Sequence, residues 1–442
     1  MGIFTKNILH TFSMQIIGFF LAIAISVMIT RGLGPEGKGI FALASLIVSF
    51  LMLPTGLGLN QATAYFTGNK QYAAKDVLSS SIVLSLLISL LGVAAGLIII
   101  FFFNTQLFPG VPRAYLLLSL ALFPVSYLFD LISQVLLGLQ RIQAYNVLKL
   151  IPSVFYLVFL AIPFFASSLT VGIAISANVI AQAIVGIALF FVTRKAAHGF
   201  TFSLNIRYVK DALTYGFQVY LANIFYLARP QVNAFLLNIY LNPRAVGLYV
   251  TALGLSEVMQ WFSRSTATVL FPRVAAEQDK ERRKHFTPVI CRNVMAITFL
   301  AAIGLIFFGK WLILLLYSQK FLESLAPFQI LLIGTVPIAG WLILNTDIFA
   351  QGKPMVNTYI FAASVAMNIL LDLWWIPTFG LIGAAFALTA SYFLIFILTL
   401  AAYMKISENT LTDVIFVKPS DFLYYRSAVE AILKRIRVQS AK

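Results

Sequence analysis

The sequence is poor in the residue types that build redox centres and metal sites. Its 442 residues include one cysteine, Cys291, so no disulfide can form within the chain. The three histidines, His10, His198 and His285, are scattered, which argues against a metal site. Charged residues make up only 10% of the chain, far below the roughly 25% of soluble domains. We therefore expect no metal, no cofactor and no ordinary soluble domain.

Long hydrophobic stretches are what the sequence has instead. Hydrophobic residues make up 60% of the chain, and apolar runs that can cross about 30 Å of hydrocarbon at about 1.5 Å per residue recur throughout. Such runs form helices, because lipid cannot satisfy free backbone groups. We predict an all-α integral membrane protein with about twelve transmembrane helices. The predicted spans cover residues 8–30, 40–66, 77–103, 114–138, 145–165, 169–193, 212–241, 247–272, 288–308, 324–350, 355–378 and 380–404.

The net charge of +16 comes from basic residues in the short loops and the tail. This distribution indicates membrane orientation by the positive-inside rule, and not a nucleic-acid partner. It predicts that both termini and the loops 194–211 and 273–287 are cytoplasmic. The first 30 residues, with Lys6 ahead of an apolar run, predict an uncleaved anchor that serves as the first span.

Two halves of the chain resemble each other. Leu33, Pro35 and Gly39 match a second set at a constant spacing of 208 residues; that second set is Leu241, Pro243 and Gly247. Parallel repeats of six helices predict two lobes around a central cleft, a layout that permits alternating access. The predicted domains are an N-terminal six-helix lobe at 1–200, a C-terminal six-helix lobe at 201–404 and a cytoplasmic basic tail at 405–442.

A polar stripe on the predicted span 212–241 is the first candidate for a binding site. Its centre is Arg229, whose insertion into hydrocarbon costs about 2.5 to 3.5 kcal/mol, so the side chain should face water or protein. At 100° per residue, one arc of this helix carries Tyr215, Gln218, Tyr226, Arg229 and Asn233. The stripe predicts the wall of a cavity.

The next span carries a second stripe on an arc of about 120°. Its members are Tyr249, Ser256, Glu257, Gln260, Arg264 and Thr268. Counted from the helix ends, Arg229 and Arg264 lie about 10 Å apart along the membrane normal. Because arginine binds phosphate oxygens through two parallel hydrogen bonds, the cavity suits an anionic, hydroxyl-rich ligand. The predicted substrate-binding residues are Gln218, Tyr226, Arg229, Asn233, Gln260 and Arg264.

Carboxylates in the spans are candidates for coupling transport to an ion. Glu257 either neutralises Arg229 as a structural ion pair or, when protonated, releases it, and the two roles are compatible. Asp130 is a second coupling candidate. Asp372 precedes Trp374 at a helix end, a pattern typical of interfacial anchoring. In the tail, residues 423–438 predict a basic amphipathic helix on the inner leaflet, which would bind membrane lipids.

Motifs near both ends of the chain resemble a known family. They are RGLGPEGKGIFALA at 31–44, GLGLNQA at 56–62, and a closing set of Asn368, Ile376, Pro377, Gly380, Gly383, Ala384 and Ala385. The sequence resembles the polysaccharide repeat-unit flippases, which are Wzx-like members of the multidrug/oligosaccharidyl-lipid/polysaccharide exporter superfamily. The resemblance extends over nearly the whole chain.

The resemblance implies a MATE-like fold with a V-shaped central cavity and no enzymatic activity. It implies transfer of an undecaprenyl-diphosphate-linked oligosaccharide across the bacterial cytoplasmic membrane, with a proton or sodium gradient and a polysaccharide polymerase as candidate partners. Relatives often read Arg, any residue, Asp where this chain has Arg229, Pro230 and Gln231, so the acid is missing there.

Other functions fit the sequence less well. A multidrug cation antiporter of the same superfamily would need acidic residues in the cavity, and a lipid II flippase carries two further spans. A membrane glycosyltransferase, polymerase or ligase would need a large loop outside the membrane, but the predicted outer loops are short.

Overall fold

The computed structural model describes residues 3–276, 280–351, 354–419 and 421. It leaves out the side chains of 3–9, 218–219, 221–230 and 354, and some between 269 and 285. The amphipathic helix predicted at 423–438 lies outside the described residues. Within those residues the chain is almost entirely helical and forms no strand, which confirms the predicted all-α architecture.

The helices of the first half begin and end at glycines, prolines and short loops. They are α1 (Ile3–Gly56), α2 (Leu59–Gly68), α3 (Ala74–Leu107), α4 (Arg113–Leu120), α5 (Leu122–Gly138), α6 (Ile142–Phe165) and α7 (Val171–Ala196). α1 consists of two helices joined at Gly34, where φ is 68° and ψ is 179°. Glycine adopts this conformation without the penalty of a Cβ atom, and Pro35 then starts the second helix at the position proline prefers.

The second half continues with shorter loops. Its helices are α8 (Ile206–Tyr240), α9 (Pro243–Glu257), α10 (Gln260–Ala276), α11 (Lys280–Leu316), a 3-10 helix (Gln319–Ser324), α12 (Leu325–Ala350), α13 (Pro354–Phe379), α14 (Leu381–Ser407) and α15 (Leu411–Ile415). The single span predicted at 247–272 is wrong in one respect, because it is interrupted between α9 and α10.

Nine stretches of the described chain are long and apolar enough to cross a membrane. One of them, His10–Gly56, contains the two helices that meet at Gly34. With that stretch counted twice, α8 and the α9–α10 pair bring the number of spans to the predicted twelve. The spans that carry the predicted cavity residues are the more polar ones, as expected for helices that do not face lipid on all sides.

The chain divides into two compact units. The first contains residues 1–251, 310–325 and 372–384. In it α1 packs on α6 and α7, α3 packs on α5, and α8 lies against α1, α2 and α3. Ile29, Leu160 and Ala181 belong to its apolar core. Close packing of such side chains provides the dispersion contacts that hold helices together in lipid.

The second compact unit contains residues 252–309, 326–371 and 385–442. Hydrogen bonds join its helices. The Thr389 hydroxyl of α14 donates to the Ile330 carbonyl of α12 over 3.1 Å, and the Thr287 hydroxyl of α11 donates to the Asp347 carboxylate of α12. The division into six-helix lobes at residue 200 stays a prediction.

Candidate functional site

The predicted span 247–272 is interrupted close to the predicted cavity residues. α9 ends at Glu257 and α10 begins at Gln260. The Met259 amide donates to the Ser256 carbonyl over 3.1 Å, and the Trp261 amide to the Val258 carbonyl over 3.2 Å. These three-residue turns break the regular ladder of backbone hydrogen bonds. Discontinuous membrane helices of this kind are tolerated where the backbone lines a cavity or is buried in protein.

Arg264 lies one turn beyond this interruption, and its side chain is exposed. Its guanidinium donates to the Gln260 amide oxygen over 3.2 Å. Trp261 and Thr268, at spacings of three and four residues, share the exposed face with it. Within the described residues Arg264 makes no ion pair. Because a guanidinium stays protonated and is costly in hydrocarbon, this face is suited to water and to an anionic ligand.

Glu257 is half-buried at the end of α9. It flanks the interruption on one side and Gln260 flanks it on the other. The structure therefore brings the predicted coupling carboxylate and two predicted binding residues, Gln260 and Arg264, into consecutive turns of one interrupted span. The partner of Glu257 predicted from the sequence, Arg229, is one of the residues whose side chains are not described.

The stripe on α8 is described only at its two ends. The side chains of Gln218, Tyr226 and Arg229 lie outside the described part of the structure. Asn233 is only 1% exposed, and its amide donates to the Tyr249 hydroxyl over 3.1 Å. In this conformation Asn233 joins α8 to α9 and is closed to a ligand. Its role in binding stays a prediction.

Asp130 is paired with Lys149, a basic residue near the start of the predicted span 145–165. Lys149 Nζ lies 3.7 Å from Asp130 Oδ1, and both side chains are 39% exposed. Lys149 belongs to α6, which starts at Ile142, three residues earlier than the predicted span. This early start follows the turn at Gln140, whose φ is 57°. The sequence did carry a signal for this pair, namely an acidic and a basic residue on two neighbouring predicted spans.

Asp372 is buried, and its prediction as an interfacial anchor is wrong. The residue is 0% exposed, and neither carboxylate oxygen has a hydrogen-bond partner within the described residues. The next two residues, Leu373 and Trp374, are 44% and 66% exposed, so the rotation of α13 turns them outward and turns Asp372 inward. An isolated buried charge is costly; the carboxylate is therefore suited to hold a proton or a cation.

Metal-ligating side chains do not cluster within the part of the chain that is described. No group of three His, Cys, Asp or Glu residues there could hold a metal ion. Cys291 is buried, and its thiol lies 3.7 Å from the Gly340 carbonyl oxygen. It packs between helices and has no access to solvent.

Comparison with known proteins identifies relatives at the level of sequence. A family model described as polysaccharide biosynthesis protein matches residues 4–278. The probable low-salt glycan biosynthesis flippase Agl15 of Haloferax volcanii is 24% identical over 162 residues, which are 36% of this chain and 34% of that protein. The chain covers between 34% and 41% of the length of the curated relatives it matches.

Solved structures of other proteins resemble this one over nearly the whole chain. An inward-facing multidrug resistance transporter of the MATE family and MOP superfamily has a TM-score of 0.72 at 14% identity, covering 88% of this chain and 94% of its own. The lipid II flippase MurJ in an inward closed conformation has a TM-score of 0.69 at 18% identity, covering 97% and 96%. The chain therefore has the fold of MATE and MOP transporters, as the sequence predicted.

Proposed function

The chain belongs to the polysaccharide biosynthesis protein family, and from this premise we propose that it is a flippase for lipid-linked oligosaccharides. The substrate proposed is an undecaprenyl-diphosphate-linked repeat unit. The protein would carry its diphosphate and sugars across the bacterial cytoplasmic membrane by alternating access, with both termini in the cytoplasm. Membrane lipids and a polysaccharide polymerase are the proposed partners.

The observation that carries this proposal is the exposed Arg264 beside an interrupted membrane helix. Among the described residues, the Arg264 guanidinium donates to the neutral Gln260 amide and to no carboxylate, so its charge is available for a phosphate. When a phosphate binds Arg264 in place of the Gln260 amide, that amide becomes free to bind a sugar hydroxyl. Charge-assisted hydrogen bonds of this type are about twice as strong as neutral ones.

The flipping step needs a protein that holds the polar head away from hydrocarbon while the lipid chain stays in the bilayer. Arg264 would attract the diphosphate into the cavity, and Arg229, Gln218, Tyr226 and Asn233 would complete the binding site from α8. Asn233 would become reachable only when α8 and α9 move apart and its bond to Tyr249 opens. The interruption between α9 and α10 supplies the hinge for that movement.

Three carboxylates are proposed to couple this movement to a proton or sodium gradient. Glu257 lies at the hinge itself. Asp130 can break its ion pair with Lys149 and take up a proton instead. Asp372, buried and without a described partner, can bind a proton or a cation in place. Each would bias one conformation by its change of charge.

A cation antiporter of the same superfamily is the main alternative. It would place acidic residues on the ligand face, but α10 contains Arg264 and no Asp or Glu. A lipid II flippase is the second alternative, since the lipid II flippase MurJ has a similar fold. The two flippases differ in the sugar that they carry, so a transport assay with each lipid-linked substrate separates them.

The test is complementation of a strain that has lost this gene and its surface polysaccharide. Surface glycan and the side of the membrane that holds the lipid-linked intermediate are measured together, for the wild type and for Arg264→Ala, Arg264→Lys and Arg229→Ala. The matched control is Arg244→Ala, because Arg244 is also an exposed arginine but is paired with a carboxylate, that of Glu323. Expression of each variant is checked by immunoblot.

We expect Arg264→Ala to lower surface glycan about tenfold, the effect of losing about 1.4 kcal/mol of binding, with the intermediate accumulating in the inner leaflet. Arg264→Lys should retain part of the activity, and Arg244→Ala should match the wild type. A wild type that leaves the intermediate in the inner leaflet would contradict the flippase function. Normal transport by Arg264→Ala and Arg229→Ala would contradict the cationic mechanism but leave the flippase function standing.

A further inference from the structure

An apolar groove of about 510 Å³ lies among α11, α12 and α14 in the second compact unit. Its sixteen lining residues are all apolar and include Met295, Phe299 and Ala302 of α11 and Pro337 of α12. The short helix α15 adds Leu411 and Ile415. The volume falls within the range of about 300 to 1,000 Å³ typical of small-molecule sites, although no described side chain of the lining offers a hydrogen bond.

The surroundings of the groove determine the chemistry of its occupant. Phe393 and Ile397 at its rim are 42% and 55% exposed, whereas Ala302 and Phe396 are 3% and 6% exposed. These helices belong to membrane spans, so the groove opens toward hydrocarbon. Water gains no partner in an apolar cavity. A hydrocarbon chain is therefore the occupant that the groove accepts.

The dimensions of the groove suit one chain. From Phe393 to Met404 it follows twelve residues of α14, a rise of about 16 Å at about 1.5 Å per residue step and roughly half of a 30 Å hydrocarbon core. If each carbon group takes about the 30 Å³ of a water molecule in bulk, the groove holds roughly 17 of them. The groove therefore accepts part of one hydrocarbon chain and has no room for two chains side by side.

The basic residue Lys405 lies where the groove ends. Phe393, Ile397 and Ala401 line it at intervals of four residues, and Lys405 continues the same face in the last turn of α14. Three neighbouring cations are already paired: Lys284 with Glu408, Arg292 with Asp421 and Lys418 with Asp413. Lys405 is exposed and, among the described residues, makes no ion pair.

We propose that this groove seats the polyprenyl chain of the lipid-linked substrate, with the phosphate at its head close to Lys405. The inference rests on the proposed function, which supplies a substrate with one long hydrocarbon chain and an anionic head. Seating the chain on the second unit would hold the substrate at the protein while its sugars enter the cavity. The end of the groove that carries Lys405 is the end proposed to be cytoplasmic.

The test uses the full-length protein in nanodiscs of phosphatidylcholine, with a polyprenyl monophosphate that bears a diazirine in its prenyl chain. Cross-linked peptides are mapped by mass spectrometry, in competition with unlabelled polyprenyl monophosphate or with phosphatidylglycerol. Ala401→Trp fills the groove, and Lys405→Gln removes the charge. The matched control is Ala95→Trp, because Ala95 is also an exposed alanine on a membrane helix, α3, but lies outside the groove.

We expect labelling within residues 295–306 and 393–404 that polyprenyl monophosphate displaces and phosphatidylglycerol does not. Ala401→Trp should lower this labelling about tenfold, as expected for the loss of about 1.4 kcal/mol of binding. Lys405→Gln should weaken it about fivefold, the effect of one basic residue on an anionic lipid. Ala95→Trp should leave it unchanged. If Ala401→Trp does not yield a monodisperse protein, Ala401→Phe takes its place.

Equal displacement by phosphatidylglycerol, or labelling that Ala401→Trp leaves intact, would overturn the proposal. The same preparations, reconstituted into vesicles, are assayed for movement of lipid-linked oligosaccharide. A wild type that moves this substrate without labelling of the groove overturns the groove and leaves the flippase function intact. A labelled groove in a protein that moves no lipid-linked oligosaccharide overturns the flippase function instead.

Discussion

Gly39 and Gly247 lie backbone to backbone, and each occupies a place where no side chain fits. A Cβ atom on Gly39 would stand 1.6 Å from the Pro243 carbonyl oxygen, and one on Gly247 would stand 1.9 Å from the Pro35 carbonyl oxygen. The two glycines and the two prolines are the equivalent positions of the motif that repeats after 208 residues. The contact is reciprocal, so each copy of the motif needs the glycine of the other.

Gly39→Ala is expected to destabilise the protein by about 1 to 3 kcal/mol, the usual cost of overpacking, because the helices must separate to admit the methyl group. Gly247→Ala should have a similar effect. The measurement is the apparent melting temperature in detergent, followed by size-exclusion chromatography. Gly254→Ala is the control, since a Cβ atom there meets nothing within 4 Å. A Gly39→Ala protein as stable as Gly254→Ala would contradict the close contact.

The ion pair of Arg292 and Asp421 ties the residues that follow α14, here called the C-terminal segment (408–419 and 421), to α11. Arg292 Nε donates to Asp421 Oδ2 over 2.5 Å, and a second bond joins Nη2 to Oδ1. The two residues are 5% and 0% exposed. Asp421→Ala should cost about 3 to 5 kcal/mol, because it leaves a buried charge unpaired, and should expose the C-terminal segment to trypsin at pH 7.

The double substitution Arg292→Met with Asp421→Leu tests this reasoning. It removes both charges and should restore most of the protection from trypsin that Asp421→Ala loses. Equal cleavage of the single and double variants would show that the segment is held by other contacts.

Acidification should release the same segment. The Arg292 guanidinium holds the pKa of the Asp421 carboxyl below its usual value, which is about 3.9. A carboxyl with a lowered pKa in the folded state contributes stability above its unfolded pKa and loses it as the pH falls through the folded pKa. Protease sensitivity should therefore rise only below about pH 4, as measured with pepsin over a pH series. An increase between pH 5 and 7 would point to another group.

Lys149 and Asp130 should matter more for transport than for stability. Both side chains are 39% exposed, and exposed ion pairs contribute about 0.2 to 1 kcal/mol. Lys149→Met and Asp130→Asn should leave the melting temperature nearly unchanged while lowering surface glycan. The swap Asp130→Lys with Lys149→Asp distinguishes the roles: recovery of transport indicates a structural pair, and continued loss indicates that one residue acts at its own position.

Asp372→Asn should keep the fold and alter the dependence of transport on pH or sodium. The substitution keeps the shape of the side chain and removes its ability to ionise, so a buried unpaired charge no longer has to be neutralised. Transport is measured in vesicles over pH 5.5 to 8 with and without sodium. Asp372→Leu is the companion variant, since it removes the polar group altogether. Unchanged profiles in Asp372→Asn would exclude this carboxylate as a coupling group.

The fold could be predicted from the sequence because lipid leaves the backbone few alternatives. Apolar runs of sufficient length had to form helices, and the repeated motif around Gly39 and Gly247 indicated two related halves. The motifs at 31–44 and 56–62 indicated the family. The interruption at Val258 and Met259 was not predicted, since no proline or glycine marks it.

The candidate site, too, could be predicted from the sequence only in part. Arg264 stood out in the sequence because a guanidinium in a membrane span requires water or an anion wherever it lies. The burial of Asp372 and Asn233, the pairing of Lys149 with Asp130 and the groove beside Lys405 depend on how each helix is rotated and what packs against it. Sequence determined which helices form and which charges they carry, because those follow from the chain and the bilayer. Only the tertiary structure decided which charges face one another, because that follows from contacts between residues far apart in the chain.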